Sequence, residues 1–233
     1  TGCRSRSPWR SAPPSRSLSC GCAAWAPGWP VEYGGGGLSD LEQVILAEEF
    51  TKAGVPTGGS NDAFSIEMLG NTLLTWGTEE QKRRYLPRLA SGELLSSFCL
   101  TEPDSGSDAA SLKTTAVRDG QHYVLNGTKR FITNAPRATF FTLMARSEPD
   151  VAGANGISAF IVPADTPGIS FGKNDKKMGQ KGALSSEVIF QDAEIPAGEI
   201  TPQIEQALRG RVDELSDVGF RTAVGDQFCE SLH

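Results

Sequence analysis

The sequence has almost no histidine. His122 and His233 are the only two in 233 residues, so neither a histidine-based metal cluster nor a Ser-His-Asp triad has the material it needs. His122 stands beside a turn and reads as a surface residue of a strand. Cysteine is scarce and unpatterned. Cys3, Cys20, Cys22, Cys99 and Cys229 make an odd total with no CxxC pair, which argues against a disulfide framework or a thiolate metal site. Cys99 lies in an apolar run and reads as a buried free thiol, and a reducing cytoplasm is the plainest setting for it. No apolar run is long enough to span a bilayer. Positive charge is not in excess: 22 Lys and Arg stand against 28 Asp and Glu, for a formal net charge of -6. That balance disfavours nucleic acid as a partner of the whole surface. An acidic protein still binds an anionic cofactor where local amides and a few cations face it.

Glycine and proline, by contrast, are plentiful, at 26 and 14. They fit a fold of many turns and short strands. The length suits one large domain or two small ones and can bury a real core. Residues 1–28 differ from the rest. They mix Arg, Ser, Pro, Trp and Cys, and no acidic residue precedes Glu32. A transit peptide has such an Arg- and Ser-rich, acid-poor composition. An out-of-frame or mispredicted start is the other reading, favoured because Pro and Trp suit an amphipathic helix poorly. Disorder is expected under either.

Residues 29–95 read as a partial helical domain. A glycine run, Gly34 to Gly37, forms a loop. Ser39-Asp40-Leu41-Glu42 is a capping box, and Leu41, Val44 and Ile45 follow at helical spacing. Gly54 and Pro56 end that helix. A second helix is expected from Ala63 to Thr75, stopping before Gly77. Thr78-Glu79-Glu80-Gln81 is another capping box, opening a charged helix that Pro87 should break or restart and Gly92 should close.

Residues 96–199 change to short strands with turn signals between them, which predicts an antiparallel β-barrel or sandwich. Strands are expected at Ser97 to Thr101, Thr114 to Val117, His122 to Leu125, Thr128 to Thr133, Thr139 to Ala145, Ile157 to Pro163, Ile169 to Gly172, and Glu187 to Ile195. Asn126-Gly127 is the strongest hairpin-turn dipeptide among them. From Pro202 helical spacing returns at Ile204, Ala207, Leu208, Val212 and Leu215. So short a helical segment has nothing to pack on. Residues 200–233 are therefore expected to be the truncated start of a C-terminal helical domain. The fold class is α+β.

Two stretches carry chemistry. The first runs from Cys99 to Asp108. Its amides and the hydroxyls of Thr101, Ser105 and Ser107 suit an anionic group; the bland alternative is an ordinary strand-exit turn. The second runs from Tyr123 to Asn134. Alternation there places Phe131 and Thr133 on one face and Ile132 on the other. An aromatic ring beside a hydroxyl suits a flat heterocycle; the alternative is that Phe131 is a core residue.

Thr-Glu-Pro-x-x-Gly-Ser-Asp at 101–108, followed by Asn-Gly-Thr-Lys-x-x-Ile-Thr-Asn at 126–134, resembles the paired signature of the acyl-CoA dehydrogenase family. Pro30 to Gly35, Gly156 to Val162, Lys177 to Gly182 and Ile189 to Pro196 resemble further segments of it, in the family's order. The resemblance covers residues from about 29 to 200. It implies an FAD-dependent α,β-dehydrogenation of an acyl-CoA thioester. It also implies a homotetramer and reoxidation by an electron-transferring flavoprotein.

By the same resemblance, Phe98, Cys99, Leu100, Thr101 and Ser107 fall on the first flavin-contact segment, and Phe131, Ile132 and Thr133 on the second. Thr101 would hydrogen-bond the flavin ring. Ser107 would lie near the flavin phosphate and the substrate's thioester or pantetheine, and Thr133 near the flavin's N5/O4 edge. Many members have Trp where this chain has Phe131. The family's glutamate base belongs to its C-terminal helical domain, and no residue here matches it; Glu102 belongs to the strand motif. Two rival readings are a non-catalytic chain that binds flavin or associates with a subunit, and a flavoprotein similar to an acyl-CoA oxidase. Lys113, Lys129, Lys173, Lys176 and Lys177 are candidates for CoA phosphates or, more simply, solvated surface.

Overall fold

A computed structural model of the chain describes residues 25–55 and 62–197. Most of the anomalous N-terminal segment and the helical pattern beyond Pro202 lie outside the described residues. A single 3-10 turn at Val31–Tyr33 precedes α1, Asp40–Lys52. A stretch with the wider π winding, Asp62–Gly70, runs into α2, Asn71–Trp76, and α3 spans Glu79–Ala90. Both capping boxes form. The Ser39 amide and hydroxyl donate to the Glu42 carboxylate at 2.8 and 2.7 Å. The Thr78 amide donates to the Gln81 side-chain oxygen at 3.1 Å, and the Gln81 amide returns a bond to the Thr78 hydroxyl at 3.2 Å.

The helical core gathers Trp29, Tyr33, Leu69, Leu73, Tyr85, Leu86 and Leu89. Trp29 lies against Gly70, where a Cβ would come within 1.9 Å of the indole ring, and its Nε1 donates to the Asn71 side-chain oxygen at 3.1 Å. Only glycine allows that approach. The expected break at Pro87 does not occur: α3 runs through it to Ala90. An interior proline costs about 3 kcal/mol. Tyr85, Leu86 and Leu89 around it are buried, and each contributes roughly 1.5–3 kcal/mol of apolar burial, so packing outweighs the lost hydrogen bond. α1 is the opposite case. None of its residues is buried, and Leu41, Val44 and Ile45 face solvent.

The strands are β1 Ser96–Cys99, β2 Thr115–Asp119, β3 His122–Thr133, β4 Phe140–Arg146, β5 Ile157–Pro163, β6 Ile169–Phe171 and β7 Ser185–Pro196. They form one sheet in the order β1-β4-β2-β3-β7-β6, with β5 also on β4. The α+β arrangement is the expected one, but the sheet is mixed. β1 runs parallel to β4, and β2 meets β4 in parallel at Thr115 and Arg146, while the other pairs are antiparallel. Side-chain alternation fixes which face is inward and carries no information about partner direction. β5 is the shared wall. Phe160 and Val162 belong to the sheet's core and Ile161 to the helical core, as a period of two requires when both faces are covered. Among the described residues no helix is long and apolar enough to cross a membrane.

The expected hairpin turn at Asn126-Gly127 is absent. β3 passes straight through it, and the chain reverses at Gly120 instead, between β2 and β3. Asn126 and Gly127 serve a β-bulge. From Leu125 to Gly127 β3 advances two residues while its partner β7 goes from Ala193 to Phe190, three residues. The extra residue on β7 has Asp192 at φ 49°. The Asn126 side-chain amide donates to the Asp192 carboxylate and its oxygen accepts from the Asp192 amide, both at 2.9 Å. Gly127 leaves room for Thr114, whose Oγ1 would be 2.4 Å from an added Cβ.

Candidate functional site

The two chemistry-bearing stretches lie side by side. The Ser97 hydroxyl donates to the Thr133 carbonyl at 2.7 Å, and the Arg130 amide donates to the Thr101 carbonyl at 2.8 Å. The exit of β1 is thus tied to the end of β3 at two points. Beyond Thr101 the chain folds into a tight turn. The Glu102 amide donates to the Ser105 carbonyl at 2.8 Å, and the Ser105 amide returns the bond at 3.3 Å. Ser105 and Ser111 hydroxyls both donate to the Asp108 carbonyl, at 2.7 and 2.8 Å.

A buried ion pair holds this turn from behind. Lys129 is 0% exposed and Glu102 6%. The ammonium donates to the Glu102 carboxylate at 2.8 Å and to the Leu100 carbonyl at 3.0 Å. Glu102 also accepts the Lys113 and Thr114 amides at 2.6 and 2.9 Å. Burial would raise the Glu102 pKa, but Lys129, Thr114 and the Lys113 amide outweigh it and hold the carboxyl below its ordinary range. Burial pushes the Lys129 pKa down, with Glu102 opposing. Lys129 is therefore neither a surface cation nor a candidate for CoA phosphates. Lys113 is exposed and pairs with Asp104 at 3.1 Å. Glu102 is committed to three donors, which suits a structural carboxylate and not a base.

Phe131 owes its position to a second bulge. From Lys129 to Ile132 β3 advances three residues while β7 goes from Val188 to Ser186, two. Tyr123, Leu125 and Lys129 are buried on one face of β3. Strict alternation would carry Phe131 into that same face. The extra residue turns it out instead, with φ 59° and 62% exposure, and Ile132 takes the core position at 2%. A bulky residue in the left-handed region is a true outlier, of the kind that clusters at functional sites. Bulges are a recurring means of re-aiming a side chain. The Arg130 guanidinium lies over the Phe131 ring, 4.9 Å from its centroid. Arg130 also pairs with Glu187 and, at 3.9 Å, with Asp175.

The expected site residues divide by exposure. Cys99 and Ile132 are in the core, so only their main chain can face a ligand, and burial raises the Cys99 thiol pKa well above its ordinary value. Phe98, Leu100, Thr101 and Thr133 are half-buried, and Ser107 is exposed on the outer arm of the turn. Among the described residues no hydrogen bond engages the hydroxyls of Thr101, Ser107 or Thr133. The Lys129–Glu102 pair went unrecognised in the sequence. A signal for it existed: Lys129 keeps the parity of the inward-facing Tyr123 and Leu125, and an inward lysine needs an acid. Among the described residues no group of three or more His, Cys, Asp or Glu is placed to hold a metal ion.

An aromatic platform, three hydroxyls without a partner among the described residues and a turn of small residues make a surface suited to a flat polar ligand carrying an anionic arm. Residues 97–193 match the acyl-CoA dehydrogenase middle-domain family and residues 24–93 its N-terminal-domain family. The chain is 42% identical over 203 residues to acryloyl-CoA reductase (NADH) of Anaerotignum propionicum, covering 86% of this chain and 50% of that protein. It is 42% identical over 167 residues to an acyl-CoA dehydrogenase of Bacillus subtilis, covering 72% and 44%. Among solved structures, a glutaryl-CoA dehydrogenase from Mycobacterium smegmatis in complex with FADH2 superposes with a TM-score of 0.66 at 30% identity, over 83% of this chain and 49% of that one. The chain spans about half the length of the curated relatives it matches.

Proposed function

The chain belongs to the acyl-CoA dehydrogenase family, and from that premise we propose that it presents the flavin-facing surface of an FAD-dependent enzyme acting on acyl-CoA thioesters. The observation that carries this reading is Phe131, turned out of the core by a bulge and held at φ 59°. A ring placed there at a conformational cost of about 1–3 kcal/mol has a task outside the fold. Its residues fit the flavin. The ring of Phe131 offers a stacking face, and the hydroxyls of Thr101 and Thr133, without partners among the described residues, offer hydrogen bonds to the edge of an isoalloxazine. Ser107, on the open arm of the turn, is suited to the phosphates or to the thioester and pantetheine. Phe98 and Leu100 flank Thr101, and Cys99 and Ile132 contribute main chain alone. When bound, FAD supplies the acceptor for the hydride leaving the substrate's β-carbon. The proton at the α-carbon requires a base other than Glu102. The family also supports a homotetramer and an electron-transferring flavoprotein as the partner that takes the electrons, while the free thiol of Cys99 fits a reducing setting such as the cytoplasm.

The test is a titration of the purified chain with FAD, followed by absorbance and fluorescence. Saturable binding is expected, and anaerobic bleaching of the flavin band on adding an acyl-CoA is the outcome that favours dehydrogenation over flavin carriage alone. A chain that takes up no FAD sinks the proposal. Binding without bleaching by any acyl-CoA leaves a non-catalytic flavin carrier, and release of peroxide in air marks the oxidase reading.

A further inference from the structure

Thr101 is held on three sides. The Leu100 carbonyl before it accepts from Lys129, at 3.0 Å. The Glu102 carboxylate after it binds the same ammonium at 2.8 Å. Its own carbonyl accepts from the Arg130 amide at 2.8 Å. What remains free among the described residues is its N–H and its hydroxyl. The Leu100–Thr101 peptide therefore has a cation on its carbonyl and, among the described residues, no acceptor on its N–H. A cation hydrogen-bonded to a carbonyl polarises the whole amide and strengthens its N–H as a donor, most of all where water is excluded.

We infer that Lys129 is a positioning residue for the cofactor: it fixes and polarises the Leu100–Thr101 peptide so that the Thr101 N–H favours the more negatively charged, reduced form of a bound flavin. This rests on the flavin reading above. Lys129 is too deep to touch a ligand, so it acts through that one peptide. Glu102 keeps the ammonium in place and satisfies its charge, a duty distinct from proton transfer. A buried pair of this kind often adds little to stability compared with an apolar pair of similar volume. Its placement directly behind the residue that faces the ligand is then explained by what it does to that residue.

The experiment measures the two-electron potential and the dissociation constant of FAD on the full chain, wild type and two variants. Lys129→Met leaves Glu102 buried and unpaired, and a lower melting temperature is expected. The double variant Lys129→Met/Glu102→Gln removes both charges while the Gln side-chain oxygen can still accept the Thr114 amide, and it is expected to recover much of the melting temperature. In both, the preference for reduced over oxidised flavin falls about tenfold, which is a potential lower by roughly 30 mV. A merely structural pair predicts otherwise: the double variant would recover potential along with stability, and that result overturns the inference while leaving flavin binding intact. A measurement on the wild-type chain needs no variant. The Thr101 amide proton exchanges freely in the FAD-free chain and is protected at saturating FAD; free exchange in the complex also overturns the inference. A wild-type chain that binds no FAD overturns the functional reading itself.

Discussion

β3 carries two bulges a few residues apart, and the chain treats them in opposite ways. At the first, every irregularity is matched. Gly127 gives Thr114 the space it needs, and Asn126 exchanges two hydrogen bonds with Asp192 across the strands. At the second, the residue forced into the left-handed region is Phe131, with no glycine and no side-chain cap, and its ring is left mostly exposed with only the Arg130 guanidinium over it. The first bulge bends a sheet. The second displays a side chain. Where local strain is relieved, the feature serves the fold; where it is kept, an external role explains it.

The largest effect should come from the matched bulge. Gly127→Ala puts a Cβ 2.4 Å from the Thr114 hydroxyl and 2.8 Å from the Thr114 Cα, and a backbone atom cannot rotate away. A loss of about 3 kcal/mol or more is expected, read as a lower urea midpoint with unchanged slope. A stability near wild type would mean that Asn126-Gly127 is not constrained as described. At the strained bulge the sign reverses. Phe131→Gly removes a left-handed penalty of about 1–3 kcal/mol and loses a cation–π contact with Arg130 of roughly 0.5–1 kcal/mol. The variant should gain about 1 kcal/mol in stability while its dissociation constant for FAD rises about tenfold. A destabilised variant would remove the contrast between the two bulges.

The same strand shows what a sequence can disclose. The helix starts at Asp40 and Glu79 are written in their capping boxes, and strand β5 is bounded where its apolar run begins and ends. The parity of β3 is legible up to Lys129. After that it fails, because a bulge inserts a residue with no composition of its own, and Phe131 then reads equally well as core or as platform. Asn126-Gly127 misleads for a related reason. The dipeptide's freedom to adopt positive φ suits a turn and a bulge alike, and only the partner strand decides between them. Pairing direction is likewise absent from a pattern of period two, so the parallel β1–β4 contact had no local sign. The two motif stretches meet because β1 and β3 are tied at Ser97–Thr133 and Thr101–Arg130, contacts that follow from the fold and not from spacing along the chain.

The smallest structural effect is expected at Thr133, and it is the most telling about function. Its carbonyl is used by Ser97, but its hydroxyl has no partner among the described residues. Valine preserves the branched shape at a strand position that favours it, so Thr133→Val should change stability by less than about 0.5 kcal/mol. Chemistry should respond differently. If the hydroxyl steadies charge arriving on the flavin edge, its loss removes a donor that matters more in the transition state than in the ground state, and such donors are worth about 10²–10³ in rate. In an intact relative carrying the equivalent substitution, rapid-mixing reduction of the bound flavin by an acyl-CoA should therefore slow by at least about tenfold while FAD affinity stays within a few fold. Equal slowing in a variant that has also lost stability would assign Thr133 to the scaffold, beside Gly127. A large loss of rate at constant stability places it with Phe131, on the side of β3 that the fold exposes and does not use.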